Sequence, residues 1–139
     1  MVGGVYVLWL RLRGDRTLVV GRLGRVRFPE AVYAYVGSAR GPGGLEARLA
    51  RHHASRKPMR WHIDYLRPDC DWLEVWVCEG PAAGECDWAG RLGSLPGAAP
   101  VSGFGASDCR CGSHLLRFDA LPALRLPGAR RVVGPWPRP

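Results

Sequence analysis

The chain has 139 residues, a formal charge of +8 and a sequence pI near 9.9, so it forms one domain that buries about two-thirds of its unfolded surface and needs neither disulfide nor metal to fold. Five scattered cysteines, an odd number, argue against a secreted disulfide framework. No segment has the sections of a signal peptide and no apolar run approaches the ~20 residues that span a bilayer, so the expectation is a soluble, cytoplasmic protein.

The positive charge is almost entirely arginine, Lys57 being the only lysine. Polyanions are natural partners of such a chain, and the planar guanidinium pairs bidentately with phosphate. A GC-rich coding sequence would produce the same excess of Arg, Ala, Gly and Pro, so composition alone weighs both readings equally.

Gly4 to Arg13 reads as a strand, because Val5-Tyr6-Val7-Leu8-Trp9-Leu10 is β-branched and aromatic and ends at the turn residues Gly14-Asp15. Thr17 to Val20 and Arg25 to Phe28 form a small hairpin around Gly21-Arg22-Leu23-Gly24. Val32 to Val36 returns as a strand with Tyr33 and Tyr35 on one face and Ala34 and Val36 on the other. Sequential strands usually pair, which brings Tyr6 near Tyr35. Gly37 is read as a sharp turn and Gly41-Pro42-Gly43-Gly44 as a loop. A helix begins near Leu45. Its apolar stripe holds Leu45 and Leu49, while Arg48 and His52, four residues apart, share one edge.

Ser55-Arg56-Lys57-Pro58 is a basic loop. Met59 to Leu66 fits a helical stripe through Met59, Ile63 and Leu66 as well as a strand alternating at Trp61, Ile63 and Tyr65. Asp71 to Cys78 is a strand with Leu73, Val75 and Val77 on one face. Pro81 opens a short helix on which Glu85, Trp88, Ala89 and Leu92 fall at i, i+3, i+4 and i+7, so Glu85 lies on the apolar stripe and needs a partner or a metal. Gly93 to Pro100 and Gly103 to Ser113 are loops, and Leu115 to Phe118 is a last strand. Beyond Leu121 the chain holds five of its twelve prolines, four arginines and no acid. That composition describes a basic, mostly irregular tail over 122–139 that need not pack.

Tyr35-Val36-Gly37-Ser38-Ala39 followed by Leu45-x-x-Arg48-Leu49-x-x-His52, with Gly4-Val5-Tyr6 upstream, resembles the GIY-YIG nuclease superfamily. Trp61-His62-Ile63-Asp64-Tyr65-Leu66, Glu85-Cys86 and Gly103-Phe104-Gly105-x-Ser107-Asp108-Cys109-x-Cys111-x-Ser113-His114-Leu115 resemble its Uri-type branch, largely carried as a domain of unknown function. Together these stretches cover roughly residues 3–118. The superfamily usually spaces its two tyrosine motifs far more closely than Tyr6 and Tyr35, a departure that an inserted hairpin explains. The expected fold is α/β, or α+β in strict usage: a small antiparallel sheet around the two tyrosine strands with helices packed against it. Residues 1–121 would form the nuclease-like domain. The resemblance also implies a helix over Met59–Leu66.

Cutting a phosphodiester requires an activated water, stabilisation of charge on the phosphoryl oxygens and a proton or metal for the leaving oxygen. The resemblance implies that Glu85 holds Mg²⁺ or Mn²⁺ and that Arg48 neutralises phosphoryl charge. Tyr6 and Tyr35 are candidates for activating water, which calls for a phenol whose pKa is lowered by the metal or Arg48. Without the resemblance Glu85 reads as an ordinary helix-start glutamate, Arg48 as a solvated helix arginine, and the tyrosines as core aromatics. His52 could relay a proton, contact phosphate or simply face the helix dipole. The roles of His62 and Asp64 stay open, since they share a face only in a strand. Cys109-x-Cys111-x-x-His114 offers three zinc ligands, with Cys86 as a remote fourth, but its spacing is tighter than the usual knuckle and a reduced structural loop is the stronger reading. Asp108 could instead face the metal pocket. The expected activity is a metal-dependent endonuclease acting on nucleic acid, in the first place DNA, in repair or processing. A non-catalytic nucleic-acid-binding module on the same fold and a zinc-stabilised interaction domain are the alternatives.

Overall fold

In a computed structural model of the chain, residues 3–54, 57–81, 84–106, 111–123 and 125–132 are described. The strands are β1 (Gly4–Leu12), β2 (Arg16–Val20), β3 (Gly24–Phe28), β4 (Ala31–Ala39), β5 (Cys70–Glu79), β6 (Ala99–Pro100), β7 (Leu115–Phe118) and β8 (Arg130–Val132); the helices are α1 (Gly44–His53), α2 (Ile63–Leu66) and α3 (Glu85–Gly93). Six strands form one sheet in the order β6-β7-β4-β1-β5-β8, every neighbouring pair antiparallel, and β2 and β3 form a separate hairpin between the two tyrosine strands. The fold is α+β, as expected. Among the described residues no helix is long and apolar enough to cross a membrane.

β1 lies at the centre of the sheet because both of its faces are apolar. Tyr6, Leu8, Leu10 and Leu12 join Tyr33, Tyr35, Leu45, Leu49, Ile63, Leu66 and the hairpin's Val20 and Phe28 in one core. Val5, Val7 and Trp9 join Ala34, Val36, Trp76, Trp88, Ala89 and Leu92 in the other. Period-2 alternation therefore sorts α1 and α2 to one face of the sheet and α3 to the opposite one. Trp9 stacks at 4.8 Å from Trp76 and 5.3 Å from Phe118, and burying side chains of this size contributes on the order of 2–3 kcal/mol each.

Several local expectations are corrected. Gly37 is not a turn: β4 continues through it to Ala39, and Gly37 sits opposite Tyr6 in the β1–β4 ladder. A Cβ there would come within 2.4 Å of the Tyr6 hydroxyl oxygen, so the glycine supplies space for the phenol. The chain turns further on, where Gly43 precedes α1 at a φ of 81°. Leu73 does not share the face of Val75 and Val77. The β1–β5 register shifts between Trp9 and Leu10, and this bulge turns Leu73 to the second core while Val75 and Val77 stay in the first. Met59 to Leu66 resolves as one helical turn, α2, with Met59 outside it and 54 % exposed.

α3 begins at Glu85 rather than at Pro81, after an extended Gly84. Ala99–Pro100 pairs with β7, adding a short strand inside the expected loop. The segment after Leu121 does pack: Leu121, Leu126 and Ala129 cover the second core, and Arg130–Val132 pairs with β5. Of the expected basic loop 55–58 and glycine- and cysteine-containing loop 103–113, Ser55, Arg56 and residues 107–110 lie outside the described residues.

Candidate active site

α1 delivers Arg48 and His52 toward the face of the sheet that carries Tyr6 and Tyr35. His52 has no accessible surface. Its Nε2 lies 2.6 Å from the Tyr6 hydroxyl, and its ring stands 5.3 Å from Tyr6, 5.9 Å from Tyr35 and 5.6 Å from Trp61. Burial first, then the nearby Lys57 ammonium, pushes the imidazole pKa down to about 3, so His52 is neutral at physiological pH. Nδ1 is buried without a hydrogen-bond partner. A buried unpaired acceptor is better tolerated than a buried unpaired N–H. The favoured tautomer therefore protonates Nε2, which donates to the Tyr6 oxygen and leaves the phenolic proton directed elsewhere.

Both phenols are pushed away from ionisation. Burial raises Tyr6 well above its ordinary value, with Tyr35 adding to the shift and Arg48 opposing it. Tyr35 is raised by burial and then by Glu85 and Asp64, again against Arg48. Arg48 alone does not bring either phenol below its ordinary value: the cost of burying a phenolate exceeds the help from one guanidinium. Glu85 is the strongest charge acting on Tyr35, whereas Arg48 outweighs it at Tyr6. Tyr35 retains 8 % of its surface against 1 % for Tyr6.

Arg48 donates to the Ser38 carbonyl at 3.0 Å and lies 4.4 Å above the Trp61 ring. Arg51 and Arg60 flank the same ring at 4.1 and 5.9 Å. These three arginines and Trp61, with Gly41, Pro42 and Gly44 of the connector, line a cleft of about 190 Å³. Contact with the indole face holds the guanidinium groups of Arg48 and Arg51 beside the cleft.

Asp64 has no accessible surface. It accepts from Arg51 at 3.0 and 3.1 Å and from the amides of Arg60 and Trp61 at 2.9 Å each. His62 accepts the Gly105 amide on Nδ1 at 2.8 Å. Both residues hold the walls: Asp64 fixes Arg51 and Trp61, and His62 ties α2 to the loop containing Phe104. Lys57 donates to the carbonyls of Arg51, His52 and Ala54 at 2.9–3.1 Å, satisfying the exposed end of α1.

Glu85 is not buried on its stripe. Trp88, Ala89 and Leu92 are, but the first residue of α3 stands at the rim with 39 % of its side chain exposed. One carboxylate oxygen lies 3.8 Å from Nδ1 of His114. His114 is 3 % exposed and held through its backbone, donating to the Phe104 carbonyl at 2.8 Å and accepting from the Val36 amide at 2.9 Å. Its Nε2 is 3.5 Å from the Cys86 sulfur. Tyr6, Tyr35, Arg48 and His52 therefore come together, and Glu85 acts on both phenols from beside His114. Asp108 and Cys109 lie outside the described residues.

A family model, Domain of unknown function DUF123, matches residues 5–127. The chain belongs to that family. Comparison with curated proteins and with solved structures found no match. In this DUF123 domain the cleft side chains not singled out from sequence are Arg51, Arg60 and Trp61. Arg51 follows Arg48 by three positions on the helix, which was the available signal; nothing local marks Trp61 as the ring on which the arginines stack.

Proposed function

We propose that this domain is a divalent-metal-dependent endonuclease of the GIY-YIG type, cutting phosphodiester bonds of nucleic acid, with DNA as the first substrate to test. The observation that carries the reading is the Tyr6–His52 hydrogen bond, buried beside Tyr35 and Arg48 and electrostatically coupled to Glu85. A cationic rim of Arg48, Arg51 and Arg60 suits a phosphate backbone.

Glu85 fits a Mg²⁺ or Mn²⁺ ion. It is a carboxylate with 39 % of its side chain exposed and one oxygen toward His114, and Mg²⁺ is commonly held by a single carboxylate and waters. When bound, the ion supplies Lewis acidity for charge on the phosphoryl and leaving oxygens. Arg48 binds a non-bridging oxygen and neutralises charge that grows as water attacks phosphorus and the bond to the leaving sugar oxygen breaks. The tyrosines stay neutral and orient the attacking water by hydrogen bonds, its proton passing to solvent water while the leaving oxygen takes one up from solvent. Nε2–H of His52 fixes the Tyr6 oxygen and leaves its phenolic proton free of His52. Trp61 holds the arginines in place before substrate arrives.

The test is a panel of labelled duplex, flap, branched and single-stranded DNA and RNA substrates, with and without Mg²⁺ or Mn²⁺. Glu85→Gln should lower cleavage by orders of magnitude while binding persists, and Arg48→Ala should lower the rate by ~10²-fold or more. If wild type cuts nothing, or Glu85→Gln cuts as well as wild type, the assignment is lost. The burial of both phenols against ionisation favours a second reading, a nucleic-acid-binding module that keeps the cleft without cutting. It predicts affinity indifferent to Mg²⁺ and no product on any substrate.

A further inference from the structure

Glu85 of the proposed nuclease site touches a group of side chains with different chemistry. Cys86, the next residue of α3, meets Cys111 and His114 from the far end of the 103–113 loop. One donor atom from each lies within 4.8 Å of the other two. We infer that Cys86, Cys111 and His114 form a zinc site, with Glu85 as the carboxylate that orients His114.

Four observations carry the inference. The ligands are two thiols and one imidazole, a soft-to-borderline set that suits Zn²⁺ and not Mg²⁺. The distance fits: a tetrahedral ion about 2.3 Å from sulfur and about 2.0–2.1 Å from nitrogen sets those two atoms roughly 3.5 Å apart, and the Cys86 sulfur is 3.5 Å from Nε2 of His114. The other imidazole nitrogen, Nδ1, faces the Glu85 carboxylate at 3.8 Å. A carboxylate on that side keeps the proton on Nδ1 and the lone pair on Nε2, as a metal-binding histidine requires. Finally, His114 is rigid before any ion arrives, since its backbone is bonded to Val36 of β4 and to Phe104.

The site would join α3 to the loop and, through the backbone of His114, to β4. It would also fix Glu85 with one oxygen toward His114, which ties the zinc ligands to the geometry of the proposed Mg²⁺ site without depending on cleavage.

The test uses the full chain purified under reducing conditions, with zinc measured by elemental analysis and affinity by competition with a chromophoric chelator. Wild type should carry one zinc per chain, and its melting temperature should fall when a chelator strips the ion and recover on adding zinc. Cys86→Ser and Cys111→Ser should each weaken zinc binding by at least ~10²-fold, and Glu85→Gln by ~10-fold while keeping full stoichiometry at saturation. Cobalt substitution should show charge-transfer bands that decrease in each serine variant. The inference is overturned if the reduced wild type binds no zinc, if both serine variants bind it as wild type does, or if intact mass shows the two thiols joined as a disulfide. Because none of these readouts is cleavage, a protein that cuts nothing leaves the zinc result standing, and a zinc-free protein that cuts leaves the nuclease reading standing.

Discussion

Acidification should destabilise this protein well above the pH at which carboxylates titrate, and His52 sets the size of the effect. In the folded chain its pKa is held down to about 3 by burial and by Lys57; in the unfolded chain it returns to about 6.5. Above pH ~6.5 the imidazole is neutral in both states, so its contribution is fully present. Below that, the unfolded chain takes up a proton that the folded chain refuses, and stability falls by about 1.4 kcal/mol per pH unit until the folded pKa is reached. Between pH ~6.5 and ~4.5 the loss is about 2 kcal/mol, and by pH ~3 about 4 kcal/mol. A domain of this size has a total stability on the order of 5–15 kcal/mol, so one histidine would consume a large share of it.

The assay is urea unfolding at half-unit steps from pH 8 to 4.5, comparing wild type with His52→Gln. Glutamine keeps a donor for the Tyr6 oxygen but does not titrate. At pH 7.5 the variant should be less stable by about 1–2 kcal/mol for the altered packing and hydrogen bond. Its stability should fall less steeply as pH drops, by close to one proton, so that the two curves approach and cross. His62 is also held below its ordinary pKa by burial, but it is common to both proteins and drops out of the difference. Parallel curves from pH 6.5 to 4.5 would refute the assignment of His52 as the buried neutral partner of Tyr6.

Gly37→Ala would set a methyl group 2.4 Å from the Tyr6 hydroxyl oxygen and 2.5 Å from its ring carbon; Tyr6 is boxed in, so thermal unfolding should report a loss of about 1–3 kcal/mol. Asp64→Asn keeps the shape but strips the charge that pairs with Arg51, and should cost about 3 kcal/mol in chemical denaturation, the lower end for a buried pair because Arg51 is one-fifth exposed. Arg48→Lys retains the charge but not the stacked fork over Trp61. In single-turnover assays of the proposed reaction it should therefore recover only part of what Arg48→Ala loses, whereas full recovery would reduce Arg48 to a point charge.

What could be read from the chain in advance was what repeats along it. The alternation that puts Tyr33 and Tyr35 on one face and Ala34 and Val36 on the other is a period-2 signal, and the two pairs do lie in opposite cores. The same rule failed at Leu73, because a bulge sets two residues of one strand against one of its neighbour, and nothing in a single strand's sequence announces which partner will be short. Gly37 failed for a related reason. A glycine that turns the chain and one that makes room for another strand's side chain are identical in sequence, and only the pairing of Tyr6 with Gly37 tells them apart.

The candidate site divides along the same line. Arg48 and His52 were paired by helical spacing, a local relation, and α1 does present them together. The relation of Glu85 and Cys86 to His114 spans a loop, an edge strand and the opposite face of the sheet, and no period links residues so placed. It follows from packing. Trp88, Ala89 and Leu92 bury α3 against the second core, which fixes where the helix must start, and the β4–β7 ladder fixes where His114 must stand. The polar ends meet because the apolar parts leave them no other place. Substitutions in the second core, such as Leu92→Ala, should therefore disturb Glu85 and Cys86 without touching either, and a loss of zinc or Mg²⁺ affinity larger than the accompanying loss of stability accounts for would be the sign of it.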